Sequence, residues 1–211
     1  MKGNLIIISS PSGGGKGTLI KEVRGMFPQV GYSVSHTTRP QRFGEEHGRE
    51  YYFVSREEFD SLAAGGDFLE YAEVHGHWYG TSRAESEKVF GDGKDLIVEV
   101  DVQGAVQIMK AMPASVSIFI LPPSFEVLKA RLTSRGTESE SALNTRLRNA
   151  FNEVLHYSAF KYVVINEDVS TASRQIASII NAERQIVDRQ MEAIKVILDS
   201  FDASKHRFEG D

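Results

Sequence analysis

The apolar positions of this chain alternate between two patterns. Four short runs, Leu5 to Ile8, Leu96 to Val100, Val116 to Leu121 and Tyr162 to Ile165, are near-continuous and largely β-branched. Parallel strands covered on both faces read this way, whereas a half-exposed sheet alternates apolar with polar. Between the runs the period becomes helical. Leu19, Ile20, Val23, Met26 and Phe27 share one face before Pro28 ends the segment. Gln103 to Met112 is a second helical stretch, stopped at Pro113, and Ser124 to Leu132 a third, opening after Pro122-Pro123. Strand and helix in alternation predict an α/β fold, a parallel sheet flanked by helices with right-handed crossovers.

Two regions depart from that rhythm. Residues 32–82 are rich in aromatics, with candidate strands at Glu50 to Val54 and Phe68 to Val74 and a turn at His75-Gly76-His77, which predicts a small, mostly antiparallel insertion. Glu138 to Leu155 predicts a charged helix. Ile176, Ile179, Ile180, Ile186, Val187, Met191, Ile194, Ile197 and Leu198 drift along one face and predict a single long helix from about Thr171 to Phe201. The polar tail from Ser204 reads as frayed. The expected organisation is a core of residues 1–32, 85–123 and 157–211, an inserted lobe at 33–84 and a helical segment at 124–156.

Composition narrows the functions available. A net charge of −5 speaks against a nucleic-acid binder, whose footprint is basic, but not against a small anion held by a few arginines. The absence of cysteine removes disulfide scaffolds, thiolate metal sites and thiol catalysis. The six histidines form no metal-ligand set, so no structural metal is expected. No apolar run approaches membrane length and none is followed by a cleavage site, so a cytoplasmic protein without a membrane partner is expected.

Ser10-Pro11-Ser12-Gly13-Gly14-Gly15-Lys16-Gly17-Thr18 carries the strongest chemistry, between a predicted strand and a predicted amphipathic helix. A triphosphate needs inward-facing backbone N–H groups, which glycines at positive φ supply, together with a helix N-terminus. Gly13, Gly14 and Gly15 fit that need, Lys16 adds a point charge for the β- and γ-phosphates, and Thr18 or Ser12 offers a hydroxyl near Mg²⁺. Ser10 stands where a phosphate loop has its first glycine, and Gly17 where it has Ser or Thr. Downstream, Arg39-Pro40-Gln41-Arg42 sets two guanidinium forks beside a proline, a suitable anion clamp, and Tyr51 and Tyr79 can donate phenolic hydroxyls to it.

The glycine-lysine loop, Ser35-His36-Thr37-Thr38-Arg39, Glu70, Trp78 to Ser82 and Asp101-Val102-Gln103-Gly104 occur in the order found in guanylate kinases, and the resemblance covers about Leu5 to Arg184. It implies a P-loop core, a GMP-binding lobe at 33–84 and a lid at 124–156, with ATP and GMP as partners, Mg²⁺ arriving with ATP, and transfer of the γ-phosphoryl group to GMP. By that similarity Arg39, Arg42, Tyr51 and Tyr79 would hold the GMP phosphate, and Ser35, Glu70, Thr81 and Asp101 the guanine. The chemistry of the base agrees: guanine offers O6 as acceptor and N1–H and the N2 amino group as donors, which call for hydroxyls and carboxylates. The loop residues Ser12, Gly13, Gly14, Gly15, Lys16, Gly17 and Thr18 would hold ATP, with Asn166 beside adenine and Arg131 on the lid. Lys16, Arg39, Arg135 and Arg146 would stabilise the transferring group, and Arg135-Gly136 would serve as a hinge. Arg148 is expected to be structural. Glu99 stands where the family has Asp, which leaves its Mg²⁺ role open. A non-catalytic module of the same fold and a kinase for another monophosphate are the alternatives.

Overall fold

The structure is a computed structural model and describes residues 3–74, 76–134 and 140–205. In chain order its elements are β1 (Leu5–Ser9), α1 (Lys16–Met26), β2 (Gly31–Tyr32), β3 (Ser35–Thr37), β4 (Tyr51–Phe53), α2 (Arg56–Gly65), β5 (Phe68–Val74), β6 (His77–Ser82), α3 (Arg83–Gly91), β7 (Leu96–Glu99), α4 (Val102–Ala111), β8 (Val116–Leu121), α5 (Phe125–Thr133), α6 (Glu140–Val154), a 3-10 turn (Leu155–Ala159), β9 (Tyr162–Ile165), α7 (Val169–Arg184) and α8 (Val187–Ser204).

Five strands form an all-parallel sheet in the order β2-β7-β1-β8-β9. The central strand β1 is buried along its whole length, which is why its sequence does not alternate. Its residues still divide between two cores. Ile6 and Ile8 join Leu19, Ile20 and Val23 of α1 and Ile176 and Ile180 of α7 on one face. Leu5 and Ile7 join Ala105 and Ile108 of α4 and Phe119 of β8 on the other. The carboxyl ends of β1 and β7 therefore emerge side by side at one edge, in register from Leu5 against Leu96 to Ile8 against Glu99, and the glycine loop and Asp101 follow them there.

The inserted lobe is a four-stranded sheet in the order β4-β3-β6-β5. It is mixed: β3 runs parallel to β4 and antiparallel to β6, and β5 pairs with β6 antiparallel. The strand expected at Glu50 to Val54 is there as the shorter β4, and β5 has the bounds expected of it. Helix α2 was not foreseen. Its signals are in the sequence: Ser55 caps the amide of Glu58 at 3.1 Å, and Gly66 closes the helix at φ 76°.

The single helix expected over 171–201 is two helices. Gln185 is helical, but Ile186 is extended at ψ 144°, and α8 starts anew at Val187. Apolar period alone does not report this break, because the pattern continues across it. What changes is burial: Ile176 and Ile180 are fully buried, whereas α8 has no buried residue. Arg184, ion-paired to Asp95 at 2.6 Å and lying over the Phe27 ring at 5.2 Å, marks the last point at which the helix has a core to cover. No described helix is long and apolar enough to cross a membrane.

Candidate active site

The glycine loop wraps the end of β1. Gly13 and Gly15 take positive φ, 84° and 90°, but Gly14 does not. Gly14 is required for room: a Cβ there would lie 2.9 Å from the Cβ of Ser10. At Gly15 a side chain would collide with the Asn166 amide, in a backbone conformation that already excludes most residues. Asn166 follows β9, is buried, and donates from Nδ2 to the Gly14 carbonyl at 2.9 Å. Arg131, near the end of α5, donates from Nη2 to the Asn166 carbonyl at 2.9 Å. The loop is thus fixed from behind by the last strand and from one side by α5. Asn166 Oδ1 and Arg131 Nη1 are buried without a hydrogen-bond partner, two polar atoms beside the loop that remain unmatched.

A cavity of about 420 Å³ lies over the loop, lined by residues 10–18 together with Val74, Glu99, Asp101 and Glu153. A second, of about 200 Å³, opens into the lobe and is lined by Lys16, Ser35, Tyr51, Glu70, Ala72, Val74, Tyr79, Glu99, Val100 and Asp101. Lys16, Val74, Glu99 and Asp101 belong to both walls. The Lys16 ammonium donates to the Val100 carbonyl at 2.7 Å and stands 3.9 Å from a Glu99 oxygen. The other Glu99 oxygen accepts from the Tyr32 hydroxyl at 3.0 Å. Burial, reinforced by that carboxylate, holds the Tyr32 phenol well above its ordinary range, so it stays protonated and donates to Glu99.

Glu70 is the most constrained group in the lobe cavity. A register shift in β5 between Phe68 and Glu70 sets Glu70 opposite Thr81, whose hydroxyl donates to it at 2.7 Å. Gly104 on α4 permits the approach, since a Cβ at that position would collide with the second Glu70 oxygen. Burial is the main cause that pushes the Glu70 carboxyl up to about 7; Asp101 adds to it, and the Thr81 bond and Lys16 oppose it. Asp101 caps α4, accepting from the Gly104 amide at 2.8 Å, which fixes its carboxylate at the shared wall. Tyr51 and Tyr79 meet edge to face at 5.8 Å, and burial first, then Glu99 and Tyr79, pushes the Tyr51 phenol up to about 12.

The expected site residues do not all converge. Ser35, Tyr51, Glu70, Tyr79 and Asp101 line the lobe cavity directly, and Thr81 lies behind Glu70, fully buried. Arg39 and Arg42 line neither cavity. Arg39 is buried behind Tyr51, 5.3 Å from its ring, and its guanidinium donates to both Glu45 oxygens at 2.8 and 3.0 Å. The Arg42 amide donates to the same carboxylate at 2.8 Å, while its side chain is exposed. Burial would raise the Glu45 carboxyl, but the bonds from Arg39 and the Arg42 amide outweigh it and hold the group below its usual range. Arg135, Gly136 and His75 lie outside the described residues. Arg148 is exposed.

Two charged residues of the site were not foreseen, Glu45 and Glu153. Glu45 lies three residues past Arg42, but only the fold shows that it occupies the clamp. Glu153 on α6 accepts from the Ser12 amide at 2.8 Å, while Arg146, two helical turns earlier, donates to the Ser12 hydroxyl at 3.1 Å from Nη2. The seven-residue spacing of Arg146 and Glu153 places them on one helix face around the buried Ala150, a signal that the sequence does contain. Together they latch α6 onto the loop. Replacing Glu153 with alanine is expected to raise KM for the loop-bound nucleotide several-fold and leave KM for the lobe-bound one unchanged; initial-rate kinetics with each substrate varied separate the two.

A family model described as guanylate kinase matches residues 2–183. The chain is 47% identical to a guanylate kinase of Neisseria meningitidis serogroup A, over 94% of this chain and 97% of that one. It is also 47% identical to a guanylate kinase of Clostridium tetani, over 92% of each. The crystal structure of guanylate kinase from Anaplasma phagocytophilum superposes with a TM-score of 0.79 at 35% identity, covering 95% of this chain and 96% of that one.

Proposed function

The chain belongs to the guanylate kinase family and phosphorylates GMP with ATP; we propose that the transfer crosses the wall shared by the two cavities, with ATP on the glycine loop and GMP in the lobe. The observation that carries this assignment is that Lys16, Val74, Glu99 and Asp101 line both chambers, so the γ-phosphoryl group and its acceptor meet over one lysine. The lobe of residues 33–84 is then the GMP-binding unit and 124–156 the lid.

On the donor side, Ser12 to Thr18 cradle the phosphates, and the unmatched Asn166 Oδ1 and Arg131 Nη1 find partners in the nucleotide. On the acceptor side, the Glu70 and Asp101 carboxylates accept from guanine N1–H and N2, the Ser35 hydroxyl completes the set around the base, and Thr81 stands behind, donating its hydroxyl to Glu70. Tyr51 and Tyr79 donate to the GMP phosphate. Arg39 and Arg42 take that phosphate as it displaces Glu45, whose carboxylate is the anion on the clamp in the free protein. AMP presents an amino group in place of O6 and lacks both guanine donors, so it leaves Glu70 unpaired in a buried site.

The residues present fit Mg²⁺ delivered with ATP. Among the described residues no group of three or more His, Cys, Asp or Glu side chains could form a protein cage for it. Glu99 and the Thr18 hydroxyl, both lining the loop cavity, would hold an ion that keeps most of its coordination from phosphate and water. Bound there, the ion supplies positive charge to the β- and γ-phosphates. The chain itself contributes Lys16 and Arg146 on the loop side, and Arg135 is proposed to join them. The acceptor is a phosphate oxygen with its second pKa near 6, so no side chain need remove a proton. Closure of α6 over the loop keeps water from accepting the phosphoryl group.

An acceptor panel of GMP, dGMP, AMP, CMP and UMP with ATP and Mg²⁺ tests the assignment. ADP production should depend on GMP, with kcat/KM for AMP lower by about three orders of magnitude or more. No GMP-dependent turnover would favour a non-catalytic module of the same fold, and equal use of AMP would remove the guanine reader.

A further inference from the structure

Lys16 can serve two nucleotides only while its ammonium is free to meet their phosphates. Its Nζ donates to the Val100 carbonyl at 2.7 Å, which leaves two of its three donors, and the Glu99 carboxylate stands beside it. That carboxylate stops short. Glu99 Oε1 lies 3.9 Å from Nζ, where a contact ion pair would close to about 2.8 Å. The two side chains are 18 and 27% exposed, so solvent screens their attraction only in part. A third group must therefore hold Glu99 at that distance.

Tyr32 is placed to do so. It pairs with Ile97 in the parallel ladder of β2 and β7, and Glu99, two residues on, points to the same face of the sheet. The Tyr32 hydroxyl donates to Glu99 Oε2 at 3.0 Å, so one carboxylate oxygen is engaged and the other is left facing Lys16. The ring that carries the hydroxyl is itself fixed. It packs against the core that contains Ile8 and Leu19, and the Arg24 guanidinium lies over it, 4.4 Å from the ring centroid. Arg24 stands two turns beyond Lys16 on α1, so one helix carries both the ammonium and the group that clamps the ring. The residue after Lys16 offers no restraint of its own: it is Gly17, where even an added Cβ would only just touch Oε1, at 3.9 Å.

We propose that Tyr32 is a positioning residue for phosphoryl transfer, an assignment that rests on ATP occupying the glycine loop: its hydroxyl holds the Glu99 carboxylate off Lys16 and keeps the ammonium available to the phosphates. Without the hydroxyl, Glu99 closes onto Lys16, the two charges neutralise each other, and the phosphates lose the donors that Lys16 offers. Tyr32 lines neither nucleotide cavity, so it acts through Glu99.

A double-mutant cycle of Tyr32→Phe and Glu99→Gln tests this. Tyr32→Phe keeps the ring under Arg24 and removes only the hydroxyl, and a thermal melt checks that the variant is folded. Its kcat should fall about tenfold, with KM for GMP unchanged. Glutamine cannot neutralise Lys16, so in the Glu99→Gln background Tyr32→Phe should change kcat less than about twofold. Titration calorimetry with ATP in EDTA, free of metal and of GMP, reads the same coupling in the loop alone. There Tyr32→Phe should weaken ATP binding about fivefold beside Glu99 and leave it unchanged beside glutamine. Wild-type kcat in Tyr32→Phe would overturn the proposal. So would an equal loss in both backgrounds, which is what a packing role gives. ATP binding with the expected coupling but no GMP-dependent turnover would refute the reaction and leave the hold of Tyr32 on Lys16 standing. GMP-dependent turnover without the coupling would refute Tyr32 alone.

Discussion

Lys16→Met is expected to lower kcat by about three orders of magnitude, or ~4 kcal/mol of transition-state stabilisation, while the protein remains folded. Lys16 opens α1 and, among the described residues, is the one cation that lines both cavities. In the free protein its ammonium is satisfied by the Val100 carbonyl at 2.7 Å, with Glu99 at 3.9 Å. Those partners hold it at the junction and leave donors to spare for phosphate oxygens. Charge shifts among the bridging and terminal oxygens during transfer, so a fixed ammonium there acts more strongly on the transition state than on either bound nucleotide. Methionine keeps most of the aliphatic stem and removes only the charge and one hydrogen bond, worth about 1 kcal/mol of stability. Steady-state kinetics beside a thermal melt distinguish the two effects. Turnover near the wild-type value would take the glycine loop out of the mechanism.

Glu70→Gln is expected to cut kcat/KM for GMP about a hundredfold and at the same time to stabilise the protein at alkaline pH. Both effects come from one buried carboxyl whose folded-state pKa is raised, from 4.5 to about 7. The sign follows from linkage. The folded protein holds this proton more tightly than the unfolded chain, so stability is fully present below about pH 4.5 and declines as pH rises through 7. By about pH 8 the ionised Glu70 costs on the order of 3 kcal/mol. Glutamine does not ionise, and its carbonyl oxygen can still accept the Thr81 hydroxyl, so the variant escapes that loss. It cannot offer the anion that guanine N1–H and N2 require. The melting temperature of the variant should therefore exceed that of the wild type near pH 8, and the gap should close toward pH 5. In the wild type, GMP affinity should rise as pH passes through 7. A variant with unchanged GMP kinetics would refute Glu70 as a reader of the base, and a gap independent of pH would refute its burial as the cause.

The two variants show how far the site could be read before the chain was folded. The glycine loop was legible because its chemistry is local: strand, glycines, lysine and helix follow one another, and the backbone geometry depends on little else. The lobe was legible as a set of residue types in order, but not as a geometry. Nothing near Glu70 in the chain announces that it will be buried, since its burial comes from a register shift against β6 and from a glycine on α4 thirty-four residues away. Arg39 and Arg42 were legible as an anion clamp. That Glu45 already occupies the clamp, and that both arginines stand back from the cavity, depends on the path of the loop between β3 and β4.

The sequence by itself determined the parallel sheet, since continuous β-branched runs separated by amphipathic helices have few other ways to bury themselves. It determined the phosphate loop for the same reason, as a property of neighbours along the chain. Only the tertiary structure decided what lies across the chain: the meeting of two cavities over Lys16, the raised carboxyl of Glu70, the grip of Arg146 and Glu153 on Ser12, and the break after Arg184. Each of these depends on how much water and how much partner charge surround a group once distant segments are packed. Hydrophobic period and local propensity record which face an element will bury, but not against what, and α8 keeps a helical apolar face although none of its residues is buried among the described ones.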